Sequence, residues 1–385
     1  MKPTNLHTTG TITLPLALGV LLLLVAGGCG GLSTNPMINR GEDARGASVA
    51  ATVSVGTAPH AIAADSANNK IYVADFGTEP ISGSSFCSPT GGDVRVIDGV
   101  TESSAVVPVP FAGDANPISI ALNPATHTAY VVANEWGREP IGRGCAWISD
   151  DVTAIDTSSL SAAEIYSGLT EGPWGFLGID LNPATGDIYL AEASTSRLFP
   201  DNSIIVIGSS AAKIAVGIKP TGVAVNTETN KVYVANSVSD NISVIDGATN
   251  AVVATITDPN AVAPVGVAVN PATGMIYVAN SQSNNLTVID GATDSVKLTI
   301  PVGTSPSAVA VDPQTNFIYV ANQGDSHIGD SGNITVINAK TSATSSLSDP
   351  NAKNPVAIAV NALANKIYVA NYGSSNVTVI DGAHD

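Results

Sequence analysis

ANKIYVANYGSSNVTVIDGAHD, residues 364–385, holds two strand-like runs, KIYVAN and NVTVID, joined by a short polar loop and followed by a turn. The same pattern stands at 273–294 as TGMIYVANSQSNNLTVIDGATD and at 229–250 as TNKVYVANSVSDNISVIDGATN. In those two copies another strand comes next, SVKLTIPVG at 295–303 and AVVATITDP at 251–259. The last copy lacks it. A segment of the same character occurs instead at 47–56, ASVAATVSVG. The sequence therefore predicts that this N-terminal segment supplies the outer strand of the last unit, closing the molecule as a ring with no open sheet edge.

Working outward, seven copies of one unit emerge. Each opens on a proline and an apolar strand, and the starting prolines read as Pro59, Pro117, Pro173, Pro220, Pro264, Pro306 and Pro355. The second strand of each unit carries a tyrosine: Tyr72, Tyr130, Tyr189, Tyr233, Tyr277, Tyr319 and Tyr368, seven of the nine in the chain. Four strands per unit at a period of roughly 40–50 residues define a propeller blade. The expectation is an all-β, seven-bladed β-propeller of four-stranded antiparallel blades, with the tyrosines packed between blades. Turns such as NPATG, NTETN and DPQTN begin with Asn or Asp and end with Gly or Asn, where a left-handed backbone is needed. His127 fills that last position in NPATH and reads as a turn residue rather than a ligand.

Composition agrees. Only 12% of the 385 residues are charged and 5% aromatic, while Gly (36) and Pro (23) are plentiful, as a turn-rich β protein requires. A net charge of −17 argues against nucleic acid, whose phosphates need Lys and Arg, and against docking on anionic lipid. Lys2 followed by the apolar run 11–28, TITLPLALGVLLLLVAGG, reads as an export signal. Ala26-Gly27-Gly28-Cys29 resembles a bacterial lipobox, which would place lipid on Cys29. The division expected is a signal peptide over 1–28, a flexible tether over 29–46 and the propeller over 47–385. That places the domain in the bacterial envelope, at the outer membrane, periplasm or cell surface. It would meet the membrane only through its anchor and be a monomer. With Cys29 lipidated, Cys87 and Cys145 remain, in the same loop of adjacent blades, and are expected to form a disulfide. A thiolate metal pair is the competing reading, but C-x-x-C spacing is lacking.

The repeat P-x-x-V-A-V-N-P-x-T-N-x-I-Y-V-A-N…V-x-V-I-D-G resembles the YVTN-type β-propeller repeat of YncE-like proteins, over essentially 47–385. The resemblance implies the fold and an exported or surface location, but no common chemistry. Related propellers include lactonases and cofactor-bearing dehydrogenase subunits. Their motif residues are structural, so no catalytic residue carries over.

Candidate sites come from departures from the repeat. The loop between strands two and three is short in blades four, five and seven and long in blades one, two, three and six, as in EWGREPIGRGCAWISDD at 135–151. Loops on a rigid scaffold are where function concentrates. The rim they would raise carries Trp136, Arg138 and Trp147, a mixture suited to an envelope protein or glycan, or to a small core within the loop. A second candidate is the channel mouth, where the residue after each starting proline should stand: His60, Ile118, Trp174, Thr221, Val265, Ser307 and Val356. The residues ending strand two are Asp75, Asn134, Glu192, Asn236, Asn280, Asn322 and Asn371. Asn there caps the strand end, while Asp75 and Glu192 add carboxylates that with His60 could form a metal site or an acid–base pair. The loop 325–333, DSHIGDSGN, offers Asp325, His327 and Asp330 to a cation, without EF-hand spacing, and a solvated loop is the simpler reading. Phosphate-loop, H-E-x-x-H, C-x-x-C-H and G-x-S-x-G motifs are absent. No cofactor is therefore predicted, and a metal ion is the one such group the residues admit. The leading expectation is a non-catalytic binding or scaffold module; the alternative is a metal- or cofactor-dependent enzyme, lactonase- or oxidoreductase-like, at the channel mouth.

Overall fold

The computed structural model describes residues 46–78, 92–109, 115–138, 145–166, 174–194, 202–208 and 211–384. The signal, the tether up to residue 45 and Cys29 within it lie outside them, as does Cys87. The described residues form seven four-stranded antiparallel sheets, with one short 3-10 turn at Ser326–Ile328 and no helix that could cross a membrane. Blade four shows the plan: Pro220–Asn226 innermost, then Lys231–Asn236, Asn241–Asp246 and Ala251–Ile256 outermost.

The seventh blade has the composition the sequence predicts. Its outer strand is Ser48–Ser54, paired antiparallel with Asn376–Asp381 in the register Thr52 to Thr378. The closing strand is also tied by side chains. Asp349, in the linker entering blade seven, accepts from Thr52 Oγ1 at 2.9 Å and from Thr378 Oγ1 at 2.7 Å. Asp258 does the same at blade five, accepting from Thr287 and Thr299 at 2.7 Å. Thr52 thus stands where Thr299 stands, in a fourth strand.

The core lies between blades. Tyr72, Tyr189, Tyr233, Tyr319 and Tyr368 are fully buried, and each packs on the branched side chains of the following blade. Tyr368 closes the circle against Ile62, Ile71 and Val73 of blade one. Near the axis the inner strands crowd together. A methyl group on Gly178 would overlap the Thr221 carbonyl, and one on Gly222 the Val265 carbonyl, which is why strand one is built of small residues.

The turns between strands one and two behave as their sequence requires. Asn69, His127, Asn230, Asn316 and Asn365 have φ of 50°, 52°, 52°, 60° and 48°. The Asx residue opening each turn caps it, as Asn226 Oδ1 accepts from Glu228 and Thr229 N. These turns also bind neighbours. Asn182 Nδ2 donates to Asn230 Oδ1, Asn270 to Asn316 and, across the closure, Asn361 to Asn69, at 2.7, 2.9 and 2.6 Å.

Candidate functional site

The channel mouth is built by a β-bulge that every blade repeats. The ladder between strands one and two slips near its start, between Pro59 and Ala61 in blade one and between Pro264 and Gly266 in blade five. The bulged residues form a ring: His60, Ile118, Leu177, Thr221, Val265, Ser307 and Val356. Six match the sequence expectation. In blade three the register places Phe176 opposite Glu192, where other blades put their proline, so Leu177 takes the ring position. Trp174 sits further along, opposite Ser194, because Pro173 precedes the bulge by three residues instead of opening it.

The polar members of the ring stitch one blade to the next. Thr221 Oγ1 donates toward Pro264 O and Val265 O, and Ser307 Oγ donates to Pro355 O at 3.0 Å. His60 uses its ring in the same way: Nδ1 donates to Ile118 O at 2.8 Å. A carbonyl only accepts, so Nδ1 carries the proton and Nε2 is left with a lone pair in the neutral ring. Burial pushes the His60 pKa down, with the Ile118 bond opposing.

Beside His60 is a cavity of about 280 Å³. Phe76 and Tyr372 line it, with ring centroids 6.0 and 6.3 Å from that of His60. Ile118, Leu177 and Val356 supply aliphatic wall, and Asn134 and Gln323 supply polar groups. The sequence reading missed Phe76, Tyr372 and Gln323. A signal existed: each directly follows the strand-two terminus, where blades four and five carry Ser237 and Ser281.

Asn134 departs from its expected role. Blade two reads YVVAN where others read YVAN, one residue longer. Ala133 therefore pairs with Pro117, the position Asn236 and Asn280 hold in their blades, and Asn134 falls one residue beyond, opposite Asn116. The regular Asn residues turn inward on their own blades. Asn236 Nδ2 donates to Asn241 Oδ1 and Ser243 Oγ, and Asn280 Nδ2 to Asn285 Oδ1 and Thr287 Oγ1. Asn241 and Asn285 are thus partners in turn chemistry.

The two carboxylates expected near His60 also turn away from the channel. Asp75, fully buried, accepts from Gly56 N at 3.0 Å and lies 3.4 Å from Arg95 Nε on strand three, where Arg95 also pairs with Asp93. Burial, then the neighbouring Asp93, raises the Asp75 pKa. Glu192 accepts from Ser203 Oγ at 2.5 Å and pairs with Lys213 at 2.9 Å, reaching strands three and four of blade three. Strand one carries His60, while both carboxylates engage outward strands of their own blades.

In blade two the long segment is a raised ladder rather than a loop. Strands Thr128–Arg138 and Cys145–Asp156 extend well past the six residues usual for strand two, with Trp136 opposite Trp147 and Arg138 opposite Cys145. In the loop of blade six, Asp325 accepts from His327 N and Asp330 from Gly332 N, both at 2.9 Å, so these carboxylates cap their own turns. No cluster of metal-ligating side chains occurs among the described residues.

Comparison with known proteins places this geometry in context. A family model described as a lactonase, 7-bladed beta-propeller, matches residues 290–385. No curated protein matches the chain. Among solved structures, the chain is similar to the WD40 beta propeller domain of Doa1, at a TM-score of 0.62 and 13% identity, over 87% of this chain and 97% of that one. At that identity the likeness concerns the fold alone.

Proposed function

We propose that the protein is an exported propeller of the YVTN type, anchored through Cys29, that acts as a non-catalytic binding or scaffold module through its top-face loops. The observation that supports this reading is the divergence of the expected acid–base groups. His60 stands in the mouth ring, whereas Asp75 and Glu192 are engaged by Arg95 and by Ser203 and Lys213 within their blades. General acid–base work needs such groups within hydrogen-bond reach of one reacting atom. The raised ladder of blade two, carrying Trp136, Arg138 and Trp147, together with Trp174 of blade three, would meet an envelope protein or glycan, with a Cys87–Cys145 disulfide steadying the rim. Replacing Trp136 and Arg138 together by Ala should weaken capture of the native partner from envelope extract by roughly tenfold or more, as loss of an interface anchor does. Thermal stability should be unchanged. Undiminished capture by this variant would sink the rim reading.

A second reading rests on the lactonase family match over residues 290–385. It casts the mouth as the site of a metal- or cofactor-dependent enzyme, lactonase- or oxidoreductase-like, with His60 as the titratable group of the ring. Elemental analysis and native mass spectrometry of protein from its own host discriminate. A stoichiometric metal or cofactor, with lactone hydrolysis lost in His60→Ala, favours the enzyme; a bare mass with no hydrolysis favours the module.

A further inference from the structure

Blades four to seven bind the end of strand two to the start of strand three through one amide. Asn236 Nδ2 donates to Asn241 Oδ1 at 2.9 Å and to Ser243 Oγ at 3.0 Å. Asn280, Asn322 and Asn371 make the same pair of bonds in their own blades. Blade one keeps the register and changes the chemistry. Asp75 stands opposite Asp93 as Asn236 stands opposite Asn241, and Arg95 takes the place of Ser243. An amide has N–H groups to give, whereas an ionised carboxylate has none, so two acceptors face each other across the strands.

Charge does not balance there either. Arg95 donates to Asp93 from Nε at 3.3 Å and from Nη2 at 3.2 Å, and its Nε lies 3.4 Å from Asp75 Oδ2. One guanidinium thus meets two carboxylates, which leaves one negative charge over. Asp75 is the more buried of the two, its side chain 0% exposed against 23% for Asp93. Among the described residues, Asp93 and Arg95 are the charged groups that act on it most. Strand one presents Pro59 opposite it, the incoming linker presents Gly56 N, and His60 is turned to Ile118 O of blade two. A buried carboxyl beside a like charge keeps its proton. Burial, then Asp93, accordingly holds Asp75 above the ordinary carboxylate range, with Gly56 N and Arg95 pulling the other way.

We infer that blade one holds a proton between Asp75 and Asp93, the Asp75 O–H donating to Asp93 in place of the amide bond of the other blades. The segment 76–92 leaves strand two after Asp75 and enters strand three at Asp93, so this proton ties the two ends of that segment together. Its loss sets two carboxylates against each other, which makes this corner of blade one sensitive to alkali. The proton site stands whether or not the rim is a binding surface.

The test is carbon NMR of the intact propeller, labelled at the aspartate carboxyl carbons and read from pH 5 to pH 9 alongside thermal unfolding. One aspartate should still be protonated at pH 7, and its signal should be missing from Asp75→Asn. In Asp93→Asn, which removes the like charge, that carboxyl should titrate about one pH unit lower or more. A folded pKa raised above the unfolded one costs stability as pH climbs out of the ordinary carboxylate range. Asp75→Asn, which gives Asp93 an amide donor, should therefore gain melting temperature on the parent as pH rises, by roughly a few degrees over the range. Full ionisation of every aspartate at pH 7, or parallel melting curves for Asp75→Asn and the parent, overturns the inference. A protonated Asp75 unmoved by Asp93→Asn overturns the sharing, because burial alone would then hold the proton. A protonated signal that emerges only after treatment with EDTA overturns it too, by assigning the pair to a metal ion.

Discussion

Single residues in this molecule are constrained more by backbone than by chemistry, and the turn asparagines show it. Asn316 holds φ at 60° and also accepts from Asn270 of the preceding blade. Asn316→Ala should cost about 1–2 kcal/mol in urea unfolding, because a Cβ in the left-handed region is strained and the interblade bond is lost. Asn316→Gly relieves the strain and should cost about half as much. Equal losses would place the whole effect in the hydrogen bond. His127, at φ 52°, belongs to the same class, which its place in NPATH made legible. His60 is different, because its ring is both stitched and titratable. Its folded pKa lies below 6.5, so the unfolded chain binds the extra proton first and stability is lost as pH falls below that value. Asp180, raised to about 6 by burial against the offsetting N–H groups of Val225 and Leu181, acts in the opposite sense, but it is common to both proteins in a comparison. His60→Gln should therefore gain melting temperature relative to the parent between pH 7.5 and pH 5. A pH-independent difference would show that the imidazole titrates alike in both states.

At the scale of the element, the blade was largely readable. Tyrosine spacing located strand two, and Asx-to-Asn turns located its start. Three things were not. Pro173 drew the start of blade three to Trp174, since a proline there looks like the repeat, yet the bulge needs only a residue that tolerates the slip, and Phe176 with Leu177 supplies it. The extra valine in YVVAN moved Asn134 from the blade interior to the mouth, a one-residue slip that turns a side chain to the other face. The outward lean of Asp75 and Glu192 depends on partners in strands three and four, which spacing alone does not reveal. The linker carboxylate Asp258 ties strands three and four of blade five together. Asp258→Ala strips the acceptor from the buried Thr287 hydroxyl and the half-buried Thr299 hydroxyl and should cost about 2–4 kcal/mol. Hydrogen exchange should then quicken first in the outer strands of blade five, Asn285–Asp290 and Ser295–Pro301. Uniform quickening over all blades would mean that the ring opens as one unit instead.

For the whole molecule, closure is the decisive contact, and it was legible because a missing fourth strand at one place matched a spare strand at another. Side chains repeat across the seam what they do elsewhere. Lys366 of blade seven pairs with Glu102 of blade one at 2.9 Å, as Lys231 of blade four pairs with Asp294 of blade five at 2.7 Å. A chain lacking residues 1–56 leaves Asn376–Asp381 as an exposed edge and should aggregate or dimerise, and a peptide of sequence 47–56 added in trans should restore the monomer. A truncated chain that stays monomeric and as stable as the parent would make the seam dispensable.

The seam also sets a clock. Thr52 and Asp349, which meet in it, are 297 residues apart in the chain. Ser48–Ser54 is thus made long before its partner strand exists. At about 5–20 residues per second of synthesis, the wait is on the order of tens of seconds. Throughout that interval a Val- and Ala-rich strand has only foreign edges to pair with. A protein of this design needs an escort for its earliest strand more than for its latest.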